Sequence, residues 1–267
     1  MQTESSSNHD HLESLTTEEI ISGMHEEDKS VTAAMNLALK QISKASEAAY
    51  ESLRSGGRLF YLGAGTSGRL GVVDASECPP TFGVDHGLVI GIMAGGDGAI
   101  RKAVEFAEDD TEQGFLDLSA FHVSVKDMVI GISASGRTPY VLGALQKCKE
   151  NGIKTGCVVC NNGSKIAESS DYPVEVITGP EYITGSTRLK AGTATKLVLN
   201  MITTSSMIRL GHVKGNKMVD MQLSNDKLID RGTRMVMEET GIDYTTAQTV
   251  LLKEGSVRKA IDKLSQY

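Results

Sequence analysis

The sequence lacks the features that would place the protein in a membrane or on nucleic acid. No apolar run approaches the ~20 residues that a helix needs to cross a bilayer. The net charge is −7 and no basic cluster is present, so electrostatic binding to nucleic acid is not expected. The first residues, MQTESSSNHDHLESLTTEE, are polar and acidic, unlike a signal peptide or a basic transit peptide. We therefore expect a cytoplasmic protein without a membrane or nucleic-acid partner.

The sequence also lacks cysteine and histidine sets with the spacing of a zinc site. The four cysteines fit a reducing compartment. Cys157 and Cys160 have CxxC spacing, but they lie in a strand-like run, where alternate residues point to opposite faces. Neither a second CxxC nor a histidine at zinc spacing accompanies them. The sequence therefore predicts buried structural thiols, no metal site and no cofactor.

Five short apolar segments predict the strands of a sheet, with helix-period segments between most of them. Near-continuous apolar strands that alternate with helices are typical of a parallel sheet covered on both faces. The strands are predicted near residues 58–63, 88–93, 127–132, 154–160 and 173–178. Before the sheet, a capping box at Thr16 and Glu19 predicts a helix towards Glu27, and a second helix is expected at 31–53. A long helix is expected at 187–210.

A glycine- and hydroxyl-rich turn, GAGTSG at 63–68, follows the first predicted strand. Its GxGxxG spacing lets the backbone turn tightly and brings the N–H groups of the next helix close to an anion. A nicotinamide site would also need an acidic residue at the end of the second strand, but that strand ends in AGG at 94–96. The hydroxyl groups suit a compact phosphate. The predicted contacts are Gly65, Thr66, Ser67 and Gly68.

A second turn of the same kind, SASGRT at 133–138, follows the third predicted strand. Pro139 suits the first turn of a helix, where its missing N–H costs nothing. Hydroxyl groups at a helix start can hold a phosphate, although they are also common there as ordinary caps. Both turns should lie at the carboxyl edge of the sheet, where ligands bind in such folds. The predicted contacts are Ser133, Ser135, Gly136 and Thr138.

Two glutamates are candidates for moving protons. Glu77 lies in SECPP at 76–80, where small residues and two prolines should hold it and where desolvation would raise its pKa. The alternative to a catalytic role is a structural one, in which the Glu77 carboxylate accepts hydrogen bonds from N–H groups of the loop. Glu108 lies in an acidic run at 105–112, which on its own is more typical of a solvated helix end.

These blocks, in this order, resemble the sugar isomerase (SIS) phosphosugar-binding domain and, more narrowly, the N-acetylmuramic acid 6-phosphate etherase family. They are spread over about two thirds of the chain, and SECPP and TGSTRLKAGT are far more specific than the glycine turn. Glucokinase regulatory proteins are relatives with a similar loop, so a protein that binds a sugar phosphate without catalysis remains an alternative. The matching blocks are GRLFYLGAGTSGRLGVVDASECPPTFGV from Gly57, AVEFAEDD from Ala103, VIGISASGRTPYV from Val129, TGPEYITGSTRLKAGTATKLVLN from Thr178 and GNKMVD from Gly215.

The resemblance implies an SIS-type three-layer α/β/α sandwich with a mainly parallel five-stranded sheet, N-terminal helices and a small C-terminal helical appendage. On this basis we expect a disordered or weakly ordered leader at 1–15, a catalytic domain at 16–225 and the appendage at 226–267. The appendage is expected to have roughly two short helices after Gly241, without the further C-terminal helices that the family implies. The family also implies a homodimer with active sites near the interface.

The implied activity is a lyase that cleaves N-acetylmuramic acid 6-phosphate to N-acetylglucosamine 6-phosphate and D-lactate. An alkoxide leaves poorly, but opening the sugar makes the C2 proton acidic, so elimination of lactate from C3 followed by addition of water is an easier route. The resemblance places the catalytic pair of the family at Glu77 and Glu108. It implies that Glu77 is the acid and Glu108 the base, and this assignment of roles is a hypothesis. An aldose–ketose isomerase and a sugar-phosphate-binding regulator remain alternatives.

Overall fold

The 63–68 turn and the 133–138 turn follow adjacent strands of one parallel sheet. The structure, a computed structural model, describes residues 1–104 and 106–265. The strands are β1 (Leu59–Gly63), β2 (Val89–Met93), β3 (Met128–Ser133), β4 (Lys154–Val159) and β5 (Tyr172–Glu175). Their order is β2-β1-β3-β4-β5 and each neighbouring pair is parallel, which confirms the predicted sheet. After β1 the chain continues to β2 on one side, and after β3 it continues to β4 and β5 on the other, so the strand order reverses between β1 and β3. Ligands bind at such switch points.

Helices cover both faces of this sheet, which confirms the three-layer sandwich. The helices of the described residues are α1 (Thr17–Arg54), α2 (Gly65–Phe82), α3 (Gly98–Arg101), α4 (Gln113–Ala120), α5 (Pro139–Glu150), α6 (Lys165–Glu168), α7 (Lys190–Arg209), α8 (Asp226–Thr240), α9 (Tyr244–Glu254) and α10 (Val257–Leu264). Alternate residues of β1 enter separate cores, with Leu59 and Tyr61 on the face of α1, α2 and α7, and Phe60 and Leu62 on the face of α4, α5 and α6.

The two helices predicted before the sheet are a single helix, α1, which corrects the prediction. The capping box is present, since the amide of Glu19 donates to Thr16 Oγ1 at 3.3 Å and the amide of Thr16 donates to Glu19 Oε2 at 2.8 Å. No glycine or proline lies between Glu27 and residue 31 to end the helix there. Although α1 has 38 residues, none of the helices described is long and apolar enough to cross a membrane.

The leader at 1–15, which the sequence analysis expects to be disordered or weakly ordered, contacts the domain in the structure. It forms two 3-10 turns, Gln2–Glu4 and Leu12–Ser14, and Thr3 is fully buried. Its contacts are made by residues distant in sequence, such as Asn161, which local sequence patterns do not reveal.

The C-terminal helices α8, α9 and α10 have a hydrophobic core of their own. A short antiparallel pair, β6 (Val213–Lys214) and β7 (Lys217–Met218), leads into it. Val219 and Met221 belong to this core although they precede the expected boundary at 225. The domain boundaries at residues 15 and 225 stay predictions.

Candidate functional site

The 63–68 turn exposes the start of α2. The cap residue Ala64 makes no side-chain hydrogen bond, so the first N–H groups of the helix lack partners inside it. Gly65 has φ +52°, and a side chain added there would meet nothing within 4 Å. The hydroxyl groups of Thr66 and Ser67 bond no other described residue. An anion can therefore approach these amides and hydroxyls directly.

The remaining glycines of this turn serve packing. Gly68 is buried, and its amide donates to the carbonyl of Ala64 at 3.1 Å. A Cβ on Gly68 would lie 2.5 Å from Met93 Cβ and 2.7 Å from the carbonyl oxygen of Gly63. Gly68 thus lies at the close approach of α2 and the sheet, and its contact with a ligand stays a prediction.

The 133–138 turn gathers three hydroxyl groups at the start of α5. Ser133 Oγ lies 2.8 Å from Thr138 Oγ1 and 3.3 Å from Ser135 Oγ, and it accepts the amide of Gly136 at 3.1 Å. Ser133 is buried, and Ser135 and Thr138 are half-buried. The helix starts with Pro139 and has no side-chain cap. The four predicted contacts of this turn therefore lie together.

Glu108 is positioned beside both turns. Its carbonyl accepts the amide of Tyr140 at 3.0 Å, which fixes the backbone of Glu108 against the first turn of α5. Glu108 and Gly65 line the same cavity of about 220 Å³. The carboxylate is exposed, as expected for a group that must reach a ligand.

Arg69 also lines this cavity, and the sequence analysis did not identify its role. Its guanidinium donates to the carbonyls of Ala99 at 2.7 Å and Ile100 at 2.8 Å, so it holds α3 against the start of α2. The sequence does show a basic residue directly after the 63–68 turn. Its partners are backbone carbonyls, however, and these are present in every sequence, so the contact could not be predicted.

Glu77 lies away from these residues within one chain. It is exposed near the end of α2, twelve residues after Gly65, which corresponds to about 18 Å along the helix axis. It does not line the cavity that holds Glu108. The two prolines do not form a separate lock, because Pro79 and Pro80 are inside α2. The expected desolvation of Glu77 is thus absent in the single chain.

A polar cluster in the core fixes the half of α2 that carries Glu77. Asp74 is buried, and its Oδ1 accepts Asn200 Nδ2 at 2.6 Å and Thr203 Oγ1 at 3.2 Å, both from α7. Its other oxygen, Oδ2, bonds no described residue. Burial raises the pKa of the Asp74 carboxyl, although the hydrogen bonds from Asn200 and Thr203 oppose this.

Two residues of the TGPEYITGSTRLKAGT block, Glu181 and Lys190, also have structural roles. The buried carboxylate of Glu181 accepts the amides of Lys190 and Ala191, each at 2.9 Å, and so caps α7. The ammonium of Lys190, also buried, pairs with Glu27 of α1. A glutamate nine residues before a helix gives no local sign of a cap, because the chain must fold back to bring it there.

The cysteines form no metal centre with their neighbours. In the described ranges, 1–104 and 106–265, no three or more His, Cys, Asp or Glu side chains form a group that could hold a metal ion. All four cysteines are free and buried, as predicted. Burial raises the pKa of the Cys157 thiol to about 11 and those of the other three to about 12.

The fold and its two turns define an SIS-domain protein. A family model described as "SIS domain" matches residues 99–205, and "Glucokinase regulatory protein N-terminal SIS domain" matches residues 41–149. Among solved structures, the fold is similar to that of the E. coli CFT073 protein c3406, with 20% identity, 76% of this chain and 97% of that chain covered, and a TM-score of 0.56. Phosphoheptose isomerase from Neisseria gonorrhoeae has 18% identity, 71% and 97% coverage, and a TM-score of 0.53.

Relatives that match nearly the whole chain define the family more narrowly. An N-acetylmuramic acid 6-phosphate etherase of Christiangramia forsetii is 58% identical over 97% of this chain and 95% of its own. Those of Porphyromonas gingivalis and Bacteroides fragilis are 55% and 54% identical, over 99% and 97% of this chain and 96% and 92% of theirs. The chain belongs to the N-acetylmuramic acid 6-phosphate etherase family.

Proposed function

We propose that the protein cleaves the lactyl ether of N-acetylmuramic acid 6-phosphate, giving N-acetylglucosamine 6-phosphate and D-lactate. The observation that carries this proposal is the 58% identity to an etherase over nearly the whole of both chains. The reaction is a carbon–oxygen lyase reaction that begins with removal of the C2 proton of the opened sugar. It ends with addition of water at C3.

The two uncapped helix starts support phosphate binding at the carboxyl edge of the sheet. Helix α5 supplies the convergent hydroxyls of the 133–138 turn, and α2 supplies free amides with the hydroxyls of Thr66 and Ser67. Partial positive charge at both helix starts favours a dianion there. We assign the 6-phosphate to the 133–138 turn and a second part of the ligand to the 63–68 turn.

Glu108 is the proposed base. It is near both turns, and its carboxylate is free to approach C2 of a sugar whose phosphate is held by the 133–138 turn. A general base must be within about 3 Å of the proton that it removes, or one water away. Of the two glutamates, only Glu108 shares a cavity with the 63–68 turn in a single chain.

Glu77, the proposed acid, requires a second copy of the chain. Val73, one turn earlier on the same face of α2, is 54% exposed, so an apolar side chain lies next to the glutamate on an open surface. A homodimer that buries this face would desolvate Glu77, and an acid at neutral pH needs such an environment. We therefore propose a homodimer in which Glu77 of the partner subunit completes each site.

The first experiment measures D-lactate released from N-acetylmuramic acid 6-phosphate. We expect release by the intact chain, and loss of release in Glu77→Gln and Glu108→Gln. Glu108→Gln should also abolish exchange of the C2 proton with deuterium from solvent, and retained exchange would reassign the base. Tight binding of the sugar phosphate without lactate would instead favour a regulator.

Mixing the two inactive variants tests the shared site. If each site takes Glu108 from one chain and Glu77 from the other, a mixed dimer contains one intact site and one doubly altered site. Random exchange of subunits should then restore about a quarter of the sites, as expected for a two-fold dimer. No recovery in dimers shown to have exchanged would contradict the assignment of the pair to different chains.

A cytoplasmic location is also part of the proposal. Four free, buried thiols are the state expected in a reducing compartment. The proposed substrate is a phosphorylated sugar, a class of compound that cells make and keep in the cytoplasm.

A further inference from the structure

Residues 1–9, called here the leader strap, lie along the 133–138 turn. The backbone amides of Gln2 and Thr3 donate to Asn161 Oδ1 at 2.6 and 3.3 Å. The side-chain amide of Asn161 donates to Thr3 Oγ1 at 2.8 Å and to the carbonyl of Ala134 at 2.9 Å. Because Ala134 belongs to the 133–138 turn, one side chain fastens the strap to that turn.

The other end of the strap is fastened to α1 and to the segment before α7. Ser7 donates from its amide to Thr184 Oγ1 at 2.9 Å and from its hydroxyl to the carbonyl of Tyr182 at 2.7 Å. His9 Nε2 lies 3.1 Å from Glu27 Oε1, and the ring of His9 packs 4.6 Å from that of Tyr182. The strap is therefore held at both ends by side chains of the domain.

A cavity of about 690 Å³ separates the strap from α6. Its volume is within the ~300–1,000 Å³ that is typical of small-molecule sites. Ser135 of the 133–138 turn opens into it, together with the cations Arg137 and Lys165 and one carboxylate, Glu168. The facing wall is formed by the strap, through Gln2 and Ser5 among others.

We propose that the leader strap is a binding element of the phosphosugar site. This inference rests on the proposed function, because it takes the 133–138 turn as the phosphate position. A phosphorylated amino sugar held there would extend into the cavity towards Gln2 and Ser5, whose amide and hydroxyl groups can bond sugar hydroxyl and acetamido groups. Asn161 links the strap to the turn that would hold the phosphate, so we expect sugar binding and docking of the strap to favour each other.

Kinetics provide the first test. A variant lacking residues 2–7 should raise KM for N-acetylmuramic acid 6-phosphate about 5- to 30-fold, the equivalent of one or two lost hydrogen bonds. Its kcat should change by less than about 3-fold, since no proposed proton-transfer group is removed. Thr3→Val deletes only the hydroxyl contact with Asn161 and should give a smaller rise in KM. Glu13→Gln, exposed and outside the strap, is the control and should leave both constants unchanged.

Hydrogen exchange provides a second readout that a merely structural strap would not change. We expect N-acetylglucosamine 6-phosphate to slow deuterium uptake in the peptide that covers the strap, and N-acetylglucosamine without phosphate to have no such effect. Unchanged uptake with the phosphorylated sugar, or an unchanged KM in the truncated variant whose melting temperature falls, would overturn the proposal.

The same measurements separate this inference from the proposed activity. Release of D-lactate by the intact chain with no effect of truncation on KM would leave the etherase activity in place and remove the strap from the site. Slower exchange in the strap with the phosphorylated sugar, but no release of D-lactate, would support the role of the strap in binding and contradict the proposed etherase activity.

Discussion

Gly136→Ala should both destabilise the protein and weaken binding of the substrate. Gly136 has φ +68°, in the left-handed region, where a side chain costs about 1–2 kcal/mol. A Cβ there would also lie 2.3 Å from both Cβ and Oγ of Ser164, and overpacking of this kind typically costs about 1–3 kcal/mol. The expected loss is therefore about 2–5 kcal/mol of unfolding free energy.

Gly152→Ala is the matched control for this prediction. Gly152 has φ +69°, almost the value of Gly136, but the nearest atom to an added Cβ is Val125 Cγ1 at 3.8 Å. Gly152→Ala should therefore lose only the backbone part, about 1–2 kcal/mol, and should leave KM unchanged because it follows α5 at the end remote from the turn. The difference between the two variants measures the overlap with Ser164.

Thermal unfolding and KM are the assays. In domains of roughly 150–250 residues, each kcal/mol shifts Tm by about 2–4 °C, so the two variants should be distinguishable. Adding Ser164→Gly to Gly136→Ala removes the clashing atoms, so the double variant should lose less than the two single losses added together. A Gly136→Ala protein that is as stable as Gly152→Ala and has an unchanged KM would refute the reasoning.

Three further predictions concern buried groups. Asp127→Asn should cost about 3 kcal/mol at pH 7, because it breaks the pair between the buried Asp127 carboxylate and the half-buried Arg58. Burial favours the neutral acid, but Arg58 and the amide of Ser124 outweigh it and lower the pKa of Asp127. In urea titrations the cost should therefore be full above about pH 4, the ordinary pKa of an aspartate, and should shrink as pH falls from there through the lowered pKa. Asp74→Asn should have the opposite pH dependence, because burial raises the pKa of Asp74. Wild-type stability then falls as pH rises from about 4, the ordinary pKa of an aspartate, to the raised pKa, so the variant should gain on wild type over that interval. A deficit that grows over the same interval would contradict this. The four thiols, with pKa values of about 11 to 12, should not react with a disulfide reagent at pH 8 until the protein is unfolded, and a fast-reacting native thiol would contradict their burial.

Local patterns were sufficient to predict most of the fold. Each strand is a short apolar run next to glycine or polar residues, and β1 and β3 begin and end within a residue or two of the predicted positions. The start of α1 follows from its capping box, and both turns follow directly from sequence order. These features depend on residues within a few positions of one another, so they can be recognised from local sequence patterns.

Features that depend on distant partners were not predictable in this way. The strap is fastened by Asn161, 158 residues beyond Thr3, and a single asparagine at the end of β4 does not specify a partner. The cap of α7 by Glu181 likewise needs the chain to fold back. The continuity of α1 was missed for another reason: the polar stretch around residue 28 resembles a loop in composition but contains no residue that ends a helix.

The position of Glu77 shows why nearness in sequence does not place two groups in one site. The 63–68 turn and SECPP are close in sequence, yet the intervening residues form one helix, which puts Gly65 and Glu77 at opposite ends of about 18 Å of α2. Bending cannot close this distance, because α2 is packed along β2 and α7. In a two-fold dimer, however, a contact from Glu77 of one chain to the site of the other is made twice, once in each direction. The distance that keeps Glu77 from the proposed site of its own chain is thus compatible with two complete sites in the proposed dimer, each at the start of its own α2.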